Sequence, residues 1–576
     1  MKKKEEKEMH GDATRRDVLR GALALGATGA FPWLAGCAGD EGGAEIKPGA
    51  GEGTGTQPWN IVLFYTDDQR ADTLWAMPVL QQELVGKGVF FRNAFITTPV
   101  CGPSRASLLS GGFYPFNTQI LTNNPPNGGA ALFTDRESLA VMLQRRGYAT
   151  AILGKYLNGY GEIQPYIPPG WTEFLATGRG DWNDFEVVRG SSTPDAPGQG
   201  TVSRQSGEYL TYYLRDRALE FVRARSNGPF FACISTAAPH SPATPAKGDE
   251  SAFQDYVYSS PNLNETDLSD KPQYVRDQAH RCKADAEDEN CDGEFFRNQL
   301  RSLLAVDRSI GTILETLRDL GVLDRTLVIY ASDNGFMWGE HGLFAKSKPY
   351  EESIRVPLIV RMPGVAPRSD DHLIAVNLDV GATVLRAAGV DRPTDGQDLI
   401  PLLGDPATPW RDSLVLQIYG GAERQPPWVG VRTQDWKYVE YITGERELYD
   451  LVVDPYELES RHGEAGLIDL MERLAALMAP WVGLTVMTES LPDGTAGAQY
   501  EAALAARGGA PPYSWSLAGG ALPDGLLLDP EGVIRGIPER TGRWEFNLET
   551  QDSSVSPQSG RPQTFVARKL SIRIRS

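Results

Sequence analysis

Two apolar runs in this chain each stop abruptly at a pair of oxygen-bearing side chains. Ile61–Tyr65 leads into Asp67-Asp68, and Leu327–Tyr330 leads into Asp333-Asn334. Adjacent carboxylates repel one another unless a cation or a proton intervenes. Three carboxylates and one amide oxygen make a hard, oxygen-only ligand set, and ligand type alone suits either Ca2+ or Mg2+. A third segment, PVCGPSRASLLSGG, puts Cys101 at the start of a helical pattern with Arg105 one turn further on. A thiol at a helix N-terminus beside a guanidinium is a position that activates a nucleophile. Each acid pair alone also fits loop acids or helix caps; two such pairs at strand ends, together with the cysteine segment, point to a metal beside a reactive thiol.

The elements that must position these residues follow from patterning. Both runs are apolar on both faces, as in strands buried within a parallel sheet. Between them, YATAILGKYLNGY reads as a strand and a loop, and GEYLTYYLRDRALEFVRAR as a helix. GPFFACISTAAPHSP reads as another buried strand, and FFRNQLRSLLAVDRSIGTILETLRDLGV as a long amphipathic helix feeding the Leu327 strand. Strand and helix in alternation imply a parallel sheet covered on both faces. Ligands of such sheets bind beyond the carboxyl ends of the strands, so both oxygen-rich pairs are expected on one rim.

The segment Cys101-Gly102-Pro103-Ser104-Arg105 matches the C-x-P-S-R signature of the sulfatases. Asp67-Asp68, Gly154-Lys155-Tyr156, Ala238-Pro239-His240-Ser241-Pro242, Asp333-Asn334-Gly335 and Lys346…Tyr350-Glu351…Arg355-Val356-Pro357 resemble further motifs of that family, in its order. Leu448–Ser460 resembles its C-terminal signature, so the likeness spans roughly residues 58–483. The resemblance implies an α/β fold with a large, mainly parallel sheet sandwiched by helices and a small antiparallel C-terminal subdomain. It implies that a separate maturation enzyme converts Cys101 to formylglycine, one hydroxyl of whose hydrate attacks the sulfur of a sulfate ester. Asp67, Asp68, modified Cys101, Asp333 and Asn334 would bind Ca2+, with Mg2+ the lesser candidate. Arg105 would hold the formylglycine, Lys155 and Lys346 would clamp the sulfate, and His240 would stand beside the leaving oxygen or the sulfate. Leu157 takes a position where many members carry a histidine. For His341 a structural role is as much expected as a catalytic one.

Gly154–Tyr160 and Tyr166–Trp171 resemble the branch that includes N-acetylglucosamine-6-sulfatases and heparan 6-O-endosulfatases, which makes a sulfated small molecule or glycan the expected substrate. The chain lacks the strongly basic region of the endosulfatases. A phosphonate or phosphate diester hydrolase with the same nucleophile is the alternative enzyme, and a non-catalytic cell-surface binding protein the alternative of another class.

The 576 residues carry a formal charge of −19, which argues against nucleic acid or anionic membrane surfaces as partners. An anionic substrate then requires a local concentration of positive charge. At the N-terminus, Arg15-Arg16 and the weakly apolar run Gly21–Leu34 have the layout of a twin-arginine export signal, too short to span a bilayer. Leu34-Ala35-Gly36-Cys37 resembles a lipoprotein box, which would lipidate Cys37 and anchor the exported chain to a bacterial membrane or cell surface. The expected organisation is a signal over 1–37, a Gly-rich tether over 38–57, a catalytic domain over 58–395, an antiparallel subdomain over 396–483, and a β-sandwich over 484–576. In the last, Pro511–Trp515 and Gly536-Ile537-Pro538 resemble immunoglobulin-like modules of bacterial surface proteins. A spacer role is favoured there over sugar binding, with Trp515 and Trp544 as core residues. Cys282 and Cys291 flank a polar loop that a disulfide could close, and Cys233 is expected as a buried thiol.

Overall fold

A ten-stranded sheet forms the central layer. Its strands, in chain order, are β1 (Asn60–Asp67), β2 (Val89–Phe91), β3 (Ala149–Gly154), β4 (Glu173–Gly180), β5 (Asp184–Gly190), β6 (Thr201–Ser206), β7 (Phe230–Pro239), β8 (Thr326–Ser332), β9 (Leu358–Arg361) and β10 (Arg368–Asp370). They lie in the order β10-β2-β9-β8-β1-β7-β3-β4-β5-β6. The central five, β8 to β4, are mutually parallel. Antiparallel strands extend both sides, which the patterning had not revealed. This computed structural model describes residues 58–576 except 264, 280–292, 421–424, 489, 557–559, 561 and 567–569. The expected signal, the tether, Cys37 and the Cys282–Cys291 pair lie outside the described residues. Among those described, no helix is long and apolar enough to cross a membrane.

Helices cover both faces of the sheet. On one face pack α1 (Cys101–Leu109), α2 (Leu139–Arg145) and α5 (Val376–Ala387). On the other lie α3 (Leu210–Arg225) and α4 (Gly293–Asp319), whose apolar stripe of Leu303, Val306, Ile310, Ile313 and Leu317 is buried against β1, β7 and β8. Each face therefore has its own hydrophobic cluster. β1 supplies Ile61, Leu63 and Tyr65 to one and Val62 and Phe64 to the other, which is why its run is apolar without alternation.

After the main sheet come four antiparallel strands, Ser413–Ile418, Trp428–Thr433, Trp436–Tyr441 and Arg446–Asp450, with helix Ile468–Met478 packed on them through Met471, Leu474 and Met478. Residues 484–576 form a five-stranded and a three-stranded sheet facing each other, an immunoglobulin-like sandwich. Trp515 is buried in its core, and Trp544 packs partly buried against it. This unit is no detached spacer. Its Leu484, Val486 and Tyr500 belong to one apolar cluster with Tyr114, Phe116, Leu121, Leu378 and Tyr419 of the preceding domains.

The helix α5 backs α1 closely: a Cβ on Gly381 would lie 2.7 Å from the backbone of Gly111 and Gly112. Asp379, fully buried on α5, accepts backbone N–H bonds from Ala375 and Gln397, each at 2.8 Å, and a two-pronged bond from Arg411. Removing that guanidinium leaves a buried charge without its counter-ion. Arg411→Met is expected to lower the unfolding free energy by about 3–5 kcal/mol in urea titration; a loss under about 1 kcal/mol would show that Asp379 is satisfied by backbone alone.

Candidate active site

The strand register brings the chemistry together. Thr66 pairs with Ser332 across β1 and β8, so Asp67 and Asp333 leave the sheet at the same height. Ser235 of β7 pairs with both Tyr65 and Gly154, which places Lys155 two strands away on the same rim. Asp68 turns into the left-handed region at φ 65°, a conformation that aspartate tolerates better than most residues. Its backbone N–H donates to Asp333 Oδ1 at 3.2 Å, which ties the two pairs into one cluster.

Around these acids, Cys101 Sγ lies 3.3 Å from Asp67 Oδ1 and 2.9 Å from Lys346 Nζ. Lys155 pairs with Asp67, and Lys346 with Asp68. Arg105 donates through Nε to Asp333 Oδ2 at 2.7 Å, and through Nη1 to Ser235 Oγ at 2.6 Å and the Lys155 carbonyl at 3.1 Å. Asn334 Nδ2 donates to Asp68 Oδ1 at 2.6 Å. His240, its side chain 39% exposed, points Nε2 at Asp68 Oδ2 from 3.6 Å, while Nδ1 lies 2.7 Å from the Ser241 carbonyl. All nine residues singled out in the sequence thus converge on one spot.

Burial and charge oppose each other here. Burial alone would raise the pKa of Asp67, yet the ammonium of Lys155, with His240, Arg105 and Lys346, holds it well below the usual carboxylate range. Asp333 shifts the other way: burial and the neighbouring Asp67 charge outweigh Arg105 and raise it. Burial, then the charges of Asp333 and Asp67, push the Cys101 thiol far up, so it is protonated at neutral pH.

The donor set could hold a metal ion. Asp67, Asp68, Cys101 and His240 offer ligand atoms within 4.8 Å of one another. Asn334 Oδ1 is buried with no hydrogen-bond partner, which is costly for a polar atom unless a cation takes it. Two other positions fall elsewhere. Leu157 is a core residue, and His341 is fully buried, bonded through Nδ1 to Glu265 at 2.6 Å and stacked 4.1 Å from Tyr350. Burial, with the nearby Lys271 charge, lowers the His341 pKa to about 3, so it is a neutral structural group. Ser235, which holds Arg105, and Asn123, whose Oδ1 accepts the Gly102 N–H at 2.7 Å, were missed. Nothing in their local sequence marks either one.

The sulfatase family matches residues 59–390, the C-terminal region of N-sulphoglucosamine sulphohydrolase matches 339–480, and an Ig domain matches 484–565. N-acetylglucosamine-6-sulfatase of Homo sapiens is 32% identical over 391 residues, which cover 64% of this chain and 69% of that protein. N-acetylglucosamine-6-O-sulfatase of Bacteroides thetaiotaomicron is 28% identical over 493 residues, 73% of this chain and 85% of the relative. A solved structure described as a complex with its substrate D-glucosamine-2-N,6-O-disulfate superposes with a TM-score of 0.63 at 25% identity, covering 73% of this chain and 97% of that one.

Gly154 tests how tightly this rim is built. It sits at φ 119°, and a Cβ there would lie 1.9 Å from the Ser235 carbonyl, to which Lys155 donates its N–H at 2.8 Å. Gly154→Ala must part β3 from β7 and displace Lys155. The expected result is a loss of about 2 kcal/mol or more in denaturant unfolding together with reduced turnover. Wild-type behaviour in both would show that the rim yields easily.

Proposed function

The chain belongs to the sulfatase family and is a sulfuric ester hydrolase, and we propose that it removes sulfate from a sulfated carbohydrate using a formylglycine made from Cys101. The observation that carries this reading is the setting of Cys101. It stands at the first turn of α1, with its sulfur 3.3 Å from Asp67 Oδ1 and 2.9 Å from the Lys346 ammonium.

Asp67, Asp68, Asp333 and Asn334 would hold Ca2+, with Mg2+ a less favoured occupant, and modified residue 101 would complete the set. When bound, the ion supplies Lewis-acid polarisation of a sulfate oxygen and of the nucleophile. The chain's own groups account for the rest. Lys155 and Lys346 face the site as ammonium ions; their pKa values stay raised because the acids around them outweigh the effect of burial. They would take up charge on the sulfuryl group, which the acidic protein as a whole repels. Arg105, fixed by three bonds, would keep the nucleophile's side chain and Asp333 in register. His240 Nδ1–H donates to the Ser241 carbonyl, so Nε2 is the atom that would carry a proton to the leaving alcohol.

The relatives named for N-acetylglucosamine-6-sulfate and the structure bound to a glucosamine disulfate support an amino-sugar sulfate as the substrate class. The charge of −19 favours a small or terminal sulfate over a long polyanion. Arg15-Arg16 and the Leu34–Cys37 box support export by the twin-arginine machinery and a lipid anchor at Cys37. That route carries folded proteins, so the maturation enzyme would act on Cys101 before export.

In an assay with an aryl sulfate and an N-acetylglucosamine-6-sulfate, Cys101→Ala should abolish turnover while leaving the unfolding curve in place. Retained turnover would refute the nucleophile, and preference for an aryl phosphonate ester would shift the reaction class. Lys155→Ala and Lys346→Ala should each cost about 3–4 kcal/mol of transition-state binding, read as kcat/KM. If both lost less than about tenfold, or 1.4 kcal/mol, the sulfate clamp would be misassigned.

A further inference from the structure

The helix that carries the nucleophile does not cap itself. Val100, at its N-cap, offers no side-chain bond to the first turn. The Gly102 amide donates instead to Asn123 Oδ1, and a Cβ on residue 102 would stand 2.9 Å from that oxygen. Asn123 thus caps α1 from another segment, one residue from Cys101.

That segment is rooted in the immunoglobulin-like unit. Ser556 Oγ donates to the Asn117 carbonyl at 2.7 Å, and the Thr564 N–H donates to Gln119 Oε1 at 2.9 Å. Gln119 itself sits in the left-handed region at φ 61°, and Leu121 is buried in the cluster shared with Leu484 and Val486. The Leu121 and Thr122 N–H groups then close onto the Asn127 carbonyl at 2.7 and 3.0 Å, which fixes the loop bearing Asn123.

Lys346 is placed by different contacts. Its neighbours Ala345 and Ser347 have φ values of 71° and 72°, a strained backbone for residues with a Cβ. The turn is held from outside. Trp428 Nε1–H and Gln425 Nε2–H donate to the Ser347 carbonyl at 3.0 and 2.6 Å, and the Ser347 N–H donates to Pro99 O at 3.1 Å, next to the nucleophile segment. Trp428 lines a cavity of about 40 Å3 together with Gly483, Thr485, Met487 and Arg507, and Arg507 pairs with Glu440 at 2.6 Å.

We propose that the C-terminal immunoglobulin-like unit is a positioning element of the active site, setting the first turn of α1 through Asn123. This rests on the reading of Cys101 as the reacting group. The competing view is that the unit only adds stability.

Full-length protein separates the two. Asn123→Ala should lower kcat for an aryl sulfate about tenfold with KM little changed, and Asn123→Asp, which can accept the same bond, should restore most of it. The pair Gln119→Ala with Ser556→Ala should lower kcat in the same way and add no further loss on top of Asn123→Ala, because both act through one residue. Leu527→Ala, on the unit's exposed face, should leave kcat unchanged. Amide exchange in peptides covering 98–109 should speed up in Asn123→Ala and in the interface pair. Wild-type kcat and exchange in Asn123→Ala, or strictly additive losses, would overturn the proposal. If the wild type turned over no sulfate ester, the functional reading would fail, while the exchange measurement would still decide whether the unit sets the first turn.

Discussion

Everything at the rim depends on holding three buried carboxyl groups within a few ångströms of one another. Asp67, Asp68 and Asp333 are almost wholly withdrawn from water. Three cations, Lys155, Lys346 and Arg105, are directed at them one for one. A low-dielectric setting makes each attraction strong and each unpaired charge expensive. Such a cluster cannot tolerate a missing member.

The scaffold serves this electrostatic arrangement. Parallel strands in one register set the height of each charged residue, and the clusters on both faces keep the strands from sliding. The awkward backbone sits where the charges do: Asp68, Ala345 and Ser347 are all left-handed without being glycine. Strain of about 1–3 kcal/mol at each such residue persists only where surrounding contacts over-determine it. Here those contacts are the Asp333 carboxylate for Asp68, and the Trp428 and Gln425 donors for Ser347.

Much of the parallel core was legible because burial on two faces leaves an unbroken apolar run, as in Ile61–Tyr65, and because an acid pair ending such a run has few structural uses. The C-x-P-S-R segment and the motifs around Lys155, His240 and Lys346 marked the remaining site residues through resemblance. The edge strands were not legible. Thr201–Ser206 is mostly exposed, and its polar sequence carries no burial signal. Asn123 and Ser235 were invisible for a different reason: each acts by hydrogen bonds to residues distant in sequence, and a lone asparagine in a loop or serine in a strand carries no signal of its own. The association of residues 484–576 with the catalytic region was hidden too, since Tyr114, Phe116 and Leu121 read as ordinary core until their partners are known.

That shared cluster bears on how such a chain can change over generations. Modules strung on flexible connectors can be gained, lost or exchanged by recombination with little penalty. Here the seam runs through side chains from both parts, so a catalytic region parted from its sandwich would present Tyr114, Phe116, Leu121 and Tyr419 to solvent as a sticky patch. A replacement sandwich would have to arrive with matching surfaces already in place. The two parts are therefore constrained to fit one another along that seam.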